Sequence, residues 1–410
     1  MRNVRWSKSY RKRSLRPQQQ VVRLFRPGRR ACLTARRLVV RRLVVPPKHS
    51  QPLSQLRSRS LSPHLNQCLL PLPHRRPRHP PVPPVGEVTA SKVLRHEFRC
   101  MASTVRIQII DPVSDAQVRV QSAEGVFHDV EVTCTRFDPM SSLMQVNSDP
   151  KSRHVVPVLL FNALSAAHEA YVRTAGRFDP RVLDDLVRAG YDRSFEFAKP
   201  GDEVVATTLA ESWWSRSRRR EWKPKFDKDS FAVSIGNRAI DLGGIGKGLA
   251  VRWAMQSLAS AGAAVLLEAG GDIATTGRGP DGHGWRVAVE NPWNVEGDPA
   301  VVLDASDAAV ATSSIRLRTW TVNGAAQHHL IDARTGRPAQ SGLQSVTVVA
   351  NDTAWAEVWS KAAFIEGKAG IRAFADEQRL AVTWIDDNGN VGISRRAQDR
   401  VVWKVSRVHE

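Results

Sequence analysis

The stretch Asp241-Leu242-Gly243-Gly244-Ile245-Gly246-Lys247-Gly248 decides how the chain reads. It follows the short apolar pair Ala239-Ile240 and precedes a segment with Ala250, Ala254, Leu258 and Ala261 at helical spacing. Four glycines in eight residues let backbone approach a ligand without Cβ interference. Amides at a helix N-terminus favour an anion, and Lys247 adds a full positive charge. The physical inference is a phosphate site. Lys247 is followed by Gly248 rather than Ser or Thr, which excludes a Walker A loop. Leu249 breaks the dinucleotide-binding fingerprint. A tight strand-to-helix connection with a surface lysine would use the same residues, and the pattern alone leaves both readings open.

Outward from this loop, short strand, turn and helix signals alternate. Residues 264–268 predict a strand ending at Ala269-Gly270-Gly271-Asp272, where a simple turn is the plainer reading and Asp272 is a candidate polar group. Gly262 is placed as the residue that stops the helix after the loop. Residues 285–289 and 346–349 predict further strands, and Asn351-Asp352-Thr353 predicts the cap of a helix that ends at Gly367. On that helix Glu357 and Lys361 lie four apart, on one face. They make either an exposed ion pair, worth about 0.3–0.5 kcal/mol, or part of a site. Upstream, 105–109 alternates as a strand, 127–134 alternates more loosely, and 154–172 is apolar at helical spacing up to Gly176. Residues 213–228 form a basic, aromatic run that is either a local patch for an anionic ligand or, as Asp227 and Asp229 dilute it, a solvated loop or hairpin. His328-His329-Leu330-Ile331-Asp332 is not a metal cluster by spacing, since strand neighbours face opposite ways.

The chain divides by charge. Its net charge is +20, yet residues 1–86 carry 21 Lys+Arg, no Asp or Glu, and 13 of the 24 prolines. The other 324 residues carry 39 basic and 40 acidic groups, so the main body has no net attraction for nucleic acid. Residues 1–86 are expected to be a disordered tail, and 87–410 the folded domain. The tail is either a basic arm or an extension without function, and the total lack of acids favours the second. Cys32, Cys68, Cys100 and Cys134 are too few for a disulfide scaffold and lack zinc spacing. Neither a membrane-spanning apolar run nor a secretory signal is visible, so a cytoplasmic location is expected.

Along the chain lie Met101-Ala102-Ser103-Thr104, Thr135-Arg136-Phe137-Asp138-Pro139 with Ser141 and Asn147, Thr174-Ala175-Gly176-Arg177-Phe178-Asp179-Pro180, and the glycine loop. The segments 269–272, 285–292, 311–313 and 328–338 complete the series, which covers about 95–370. In this order, the motifs resemble the FAD:protein FMN transferase (ApbE-like) family. The resemblance implies a two-lobed α+β fold holding FAD, and a reaction that moves FMN from FAD to a Thr or Ser hydroxyl of a target flavoprotein, releasing AMP. It assigns FAD contacts to Met101, Phe137, Arg177, Phe178, Asp179, Asp241, Lys247 and Ile331, with Phe137 stacking on flavin. It assigns Mg²⁺ to the Gly244 carbonyl, Glu357 and the neighbourhood of Ser360. Glu357, Lys361 and Asp272 are the candidate catalytic groups; Asp241, Asp272 and Glu357 are candidate bases. Relatives commonly carry Asp and Thr where this chain has Glu357 and Lys361, and a protonated Lys361 cannot ligate a metal. Two alternatives follow: an FAD-binding carrier without transfer, and an FAD pyrophosphatase giving FMN and AMP.

Overall fold

A computed structural model describes residues 91–192 and 220–408, all within the unit His74–Glu410. The tail reading for 1–86, and 213–219 of the basic run, lie outside the described residues. In chain order the first half forms β1 (Val93–Cys100), β2 (Ser103–Ile110), α1 (Ala116–Cys134), α2 (Ser142–Ser148), β3 (His154–Val155), α3 (Val158–Arg173), α4 (Leu183–Arg188), β4 (Lys225–Asp227) and β5 (Ala232–Ser234). Then follow α5 (Gly246–Ser257), β6 (Ala264–Ala269), β7 (Asp272–Thr276), β8 (Arg286–Val289), β9 (Val301–Asp304), β10 (Ala309–Ser314), β11 (Thr319–Val322) and β12 (Ala325–His328). The last are β13 (Ile331–Asp332), β14 (Arg337–Pro338), β15 (Leu343–Ala350), α6 (Thr353–Glu366), α7 (Ile371–Glu377), β16 (Ala381–Asp386), β17 (Val391–Ile393) and β18 (Val401–Lys404).

The fold is α+β. Eight strands form one antiparallel sheet in the order β1-β2-β6-β7-β10-β15-β16-β17. Alternation sets its faces: Val105, Ile107 and Ile109 of β2 are fully buried, and Ile107 and Ile109 pair in register with Leu267 and Val265 of β6. That face meets α1 and α5 in the largest core. Further along the sheet, Val346, Val348 and Val382 pack on the α6 residues Ala362, Ala363 and Phe364. The opposite face, through Val310, Val349 and Ile385, packs on the small sheet β18-β9-β8. No described helix is long and apolar enough to cross a membrane.

Two sequence expectations are corrected. Residues 127–134 are the end of helix α1, whose buried positions Ala116, Val120, Ala123, Phe127, Val130 and Cys134 step by four and three. The loose alternation was the tail of a helical stripe that starts eleven residues earlier. Helix α5 ends at Ser257, so Gly262 does not terminate it; Ser260, with φ of 59°, makes the left-handed turn. Gly262 is required by proximity instead, because a Cβ there would sit 2.5 Å from both Ile109 Cγ2 and the Ile110 carbonyl oxygen of β2. Helix α6 forms as the capping signal predicts, with Asp352 accepting from the Trp355 amide at 3.0 Å and Gly367 leaving in a left-handed φ of 82°.

Candidate active site

The glycine loop is held from two sides. The buried Asn147 of α2 donates to the Ile240 carbonyl and accepts from its amide, both at 2.8 Å. Asp241 Oδ1 accepts from the Gly243 amide at 2.8 Å, and Oδ2 takes Arg136 Nε at 2.8 Å. The loop therefore enters α5 in one conformation, at the wall of a cleft of about 460 Å³. Met101 and Ala102, both with φ above 50°, make the β1–β2 turn at its edge. Phe137, Tyr191 and Trp320 form an aromatic wall with centroid spacings of 6.0 and 5.4 Å. The Arg136 guanidinium lies 4.2 Å from the Phe137 centroid and 4.4 Å from that of Tyr191, and its Nη2 is buried without a hydrogen-bond partner among the described residues.

Beneath the cleft is a cluster of four charges. Lys247 donates to Asp272 Oδ2 and lies 3.3 Å from Glu357 Oε1. Lys361 donates to the same Oε1 at 3.1 Å, and the Gly248 amide donates to Oε2 at 2.8 Å. Glu357 is 1% exposed and Asp272 2%. Burial alone would raise the Glu357 carboxyl, but Lys247, Lys361 and the Gly248 amide outweigh it and hold it below the usual range. Burial pushes Asp272 up, and Lys247 offsets this only in part. Burial alone would lower Lys247, yet Asp272 and Glu357 hold it up, so it stays charged.

One buried imidazole also lines the cleft. Burial, then Arg318, Lys361 and His328, drive His329 well below its ordinary value, so it is neutral at pH 7. Its buried Nδ1 has no hydrogen-bond partner among the described residues. Arg318 lines the cleft as well and makes no ion pair among the described residues.

The model of the ApbE family matches residues 101–384, more than half of the chain. The chain belongs to the ApbE family. A FAD:protein FMN transferase of Chlamydia pneumoniae is 26% identical over 275 residues, 66% of this chain and 83% of that protein. One of Haemophilus influenzae is 25% identical over 319 residues, 75% of this chain and 91% of the other. The crystal structure of an ApbE protein from Thermotoga maritima superposes with a TM-score of 0.66 at 23% identity, covering 75% of this chain and 99% of that one. The Pseudomonas stutzeri flavinyl transferase ApbE gives 0.65 at 20%, covering 78% and 100%. At those identities the superpositions show the fold alone.

All eight residues that the ApbE resemblance assigns to FAD line the cleft: Met101, Phe137, Arg177, Phe178, Asp179, Asp241, Lys247 and Ile331. Gly244 and Lys361 do too. Two of the carboxylates are committed to arginines. Asp179 takes both Nε and Nη2 of the buried Arg181, and Asp241 takes Arg136. Arg177 is itself paired with Glu366 at 2.6 Å. Asp272 and Glu357 lie under the cleft, behind the lysines, and the exposed-pair reading of Glu357 and Lys361 is overturned by burial. Ser360 does not line the cleft. It is fully buried, with its hydroxyl 2.7 Å from that of Ser313 and donating to the Glu357 carbonyl at 2.9 Å. His328 and His329 do diverge, but His329 lies past the end of β12, so strand alternation is not the cause: His328 ends the strand with its ring at the Ala339 carbonyl, and His329 follows as a lining residue of the cleft. Arg318 and Tyr191 carried no sequence signal, since only the β11–β12 hairpin and the segment after α4 bring them there.

Proposed function

We propose that this chain is a FAD:protein FMN transferase that moves the FMN moiety of FAD to a Thr or Ser hydroxyl of a target flavoprotein and releases AMP. The observation that carries the reading is one cleft combining an aromatic wall, a glycine-rich helix entrance and two cations, Arg318 and Lys361, that are open to a ligand. A dinucleotide offers the matching parts: a flat flavin for Phe137 and its neighbours, and a pyrophosphate for the cations.

In the reaction the acceptor oxygen attacks the FMN-side phosphorus. The new O–P bond forms as the P–O bond to the AMP phosphate breaks, and the bridging oxygen leaves with AMP. Positive groups aimed at that oxygen stabilise the charge that grows on it. The proton of the acceptor hydroxyl needs a base. Asp241, Asp272 and Glu357 are each held by cations or amides, whereas His329 lines the cleft, is neutral, and has a buried Nδ1 without a hydrogen-bond partner among the described residues. His329 is therefore the residue we assign to that proton.

Magnesium at Gly244, Glu357 and Ser360 does not suit this donor set. Glu357 already accepts two ammoniums and one amide, and Ser360 is turned to Ser313.

The test is incubation of the full chain with FAD and a flavoprotein domain carrying an acceptor Thr, read by mass spectrometry and AMP release. A covalent FMN adduct with equal AMP supports transfer. AMP without adduct, in the absence of acceptor, would replace it with hydrolysis. FAD binding without either product across several acceptor domains would replace it with a carrier.

A further inference from the structure

We infer that the Lys361 ammonium is the pocket's built-in cation, so that FAD binds without a divalent metal. The inference rests on the transferase reading and concerns how the same pocket handles charge. Lys361 lies against two of the residues to which the resemblance assigns a metal, Gly244 and Glu357. Its stem lies along Gly244, where an added Cβ would come within 3.3 Å of both Cδ and Cε. Its Nζ reaches Glu357 Oε1 at 3.1 Å, one turn away on α6. The third group, Ser360, is bonded elsewhere.

Charge balance points the same way. Lys247 and Lys361 face Asp272 and Glu357, two positive groups against two negative, within one buried cluster. A dication added at Glu357 would sit beside two ammoniums and share one carboxylate with them, a repulsive arrangement with little water to screen it. An ammonium has three donors. Among the described residues Lys361 spends one on Glu357, which leaves two directed by the same anchored nitrogen to phosphate oxygens in the cleft. Glu357 then positions the ammonium rather than a metal, and Arg318 supplies the second positive charge for the pyrophosphate.

The experiment is FAD titration of the full chain by flavin fluorescence, in EDTA and in millimolar MgCl₂, with calorimetric titration of MgCl₂ alone. Wild type should bind FAD with the same affinity in both buffers, and Mg²⁺ alone should give no binding heat. Lys361→Thr should bind about tenfold or more weakly in EDTA, as befits loss of a charge-assisted contact. Lys361→Arg should keep metal-independent binding. Melting curves of both variants establish that they fold, and the wild-type comparison needs no variant. Wild-type binding that requires Mg²⁺, or Lys361→Thr binding FAD in EDTA as tightly as wild type, would overturn the inference and leave the transferase reading intact. No FAD binding by wild type in either buffer would overturn that reading itself.

Discussion

Replacing Glu357 by Gln tests the charge cluster directly. The amide keeps an acceptor for the Gly248 N–H, now 2.8 Å from Oε2, but leaves Lys361 with no anion and Lys247 with Asp272 alone. An exposed pair would cost about 0.3–0.5 kcal/mol to break. Here the carboxylate is 1% exposed, and an uncompensated buried charge costs about 3–5 kcal/mol. For a domain of this size that is a melting shift on the order of 6–10 °C, measured by circular dichroism at pH 7. The sign of the pH dependence follows from the depressed Glu357 carboxyl. Its contribution is complete above the unfolded value of about 4.3 and is lost as pH falls through the lower folded value. The gap between wild type and E357Q should therefore hold through neutral pH and narrow only in acid. A second variant sharpens the reasoning: adding Lys361→Met to E357Q removes the orphaned ammonium and should restore part of the stability. A shift below about 2 °C, or a double variant no more stable than E357Q, would refute the buried-cluster account.

Two further expectations concern packing and titration. A Cβ at Gly248 would lie 2.7–2.9 Å from Thr353 and Ala354 backbone atoms of α6, which cannot move aside, so G248A should cost about 2 kcal/mol or more; Gly125 of α1 meets nothing within 4 Å, so G125A should instead stabilise by about 0.5–1 kcal/mol, both read from denaturant melts. His329 is depressed by burial, so the unfolded chain takes up its proton first; stability should fall as pH drops below about 6.5, and H329N should flatten that slope, while an imidazole titrating normally by NMR would contradict the burial argument.

Local signals were legible wherever the cause is local. The glycine loop, the Asp352 cap with its Gly367 stop, and the alternating strand at 105–109 each depend on neighbours a few residues away, and each forms where the pattern puts it. The end of α1 was misread because a window of eight residues shows only two turns of a stripe that runs through nineteen. Ser141 and Asn147 belong to recognisable motifs, yet their role is structural: Ser141 caps α2 and Asn147 pins Ile240.

Sequence by itself determined the family, the uneven charge of the first 86 residues against the balanced remainder, and the residues that line one cleft. Tertiary structure decided which of those residues are open to a ligand and which are already spent. Glu357 is buried because α5 presses Gly248 against α6, a contact between segments more than a hundred residues apart. His329 faces the cleft while His328 does not, because the chain turns between β12 and β13. A residue type and its spacing fix what a side chain can do; its desolvation and its partners, which set its charge and its reach, come from chain segments that no local pattern contains.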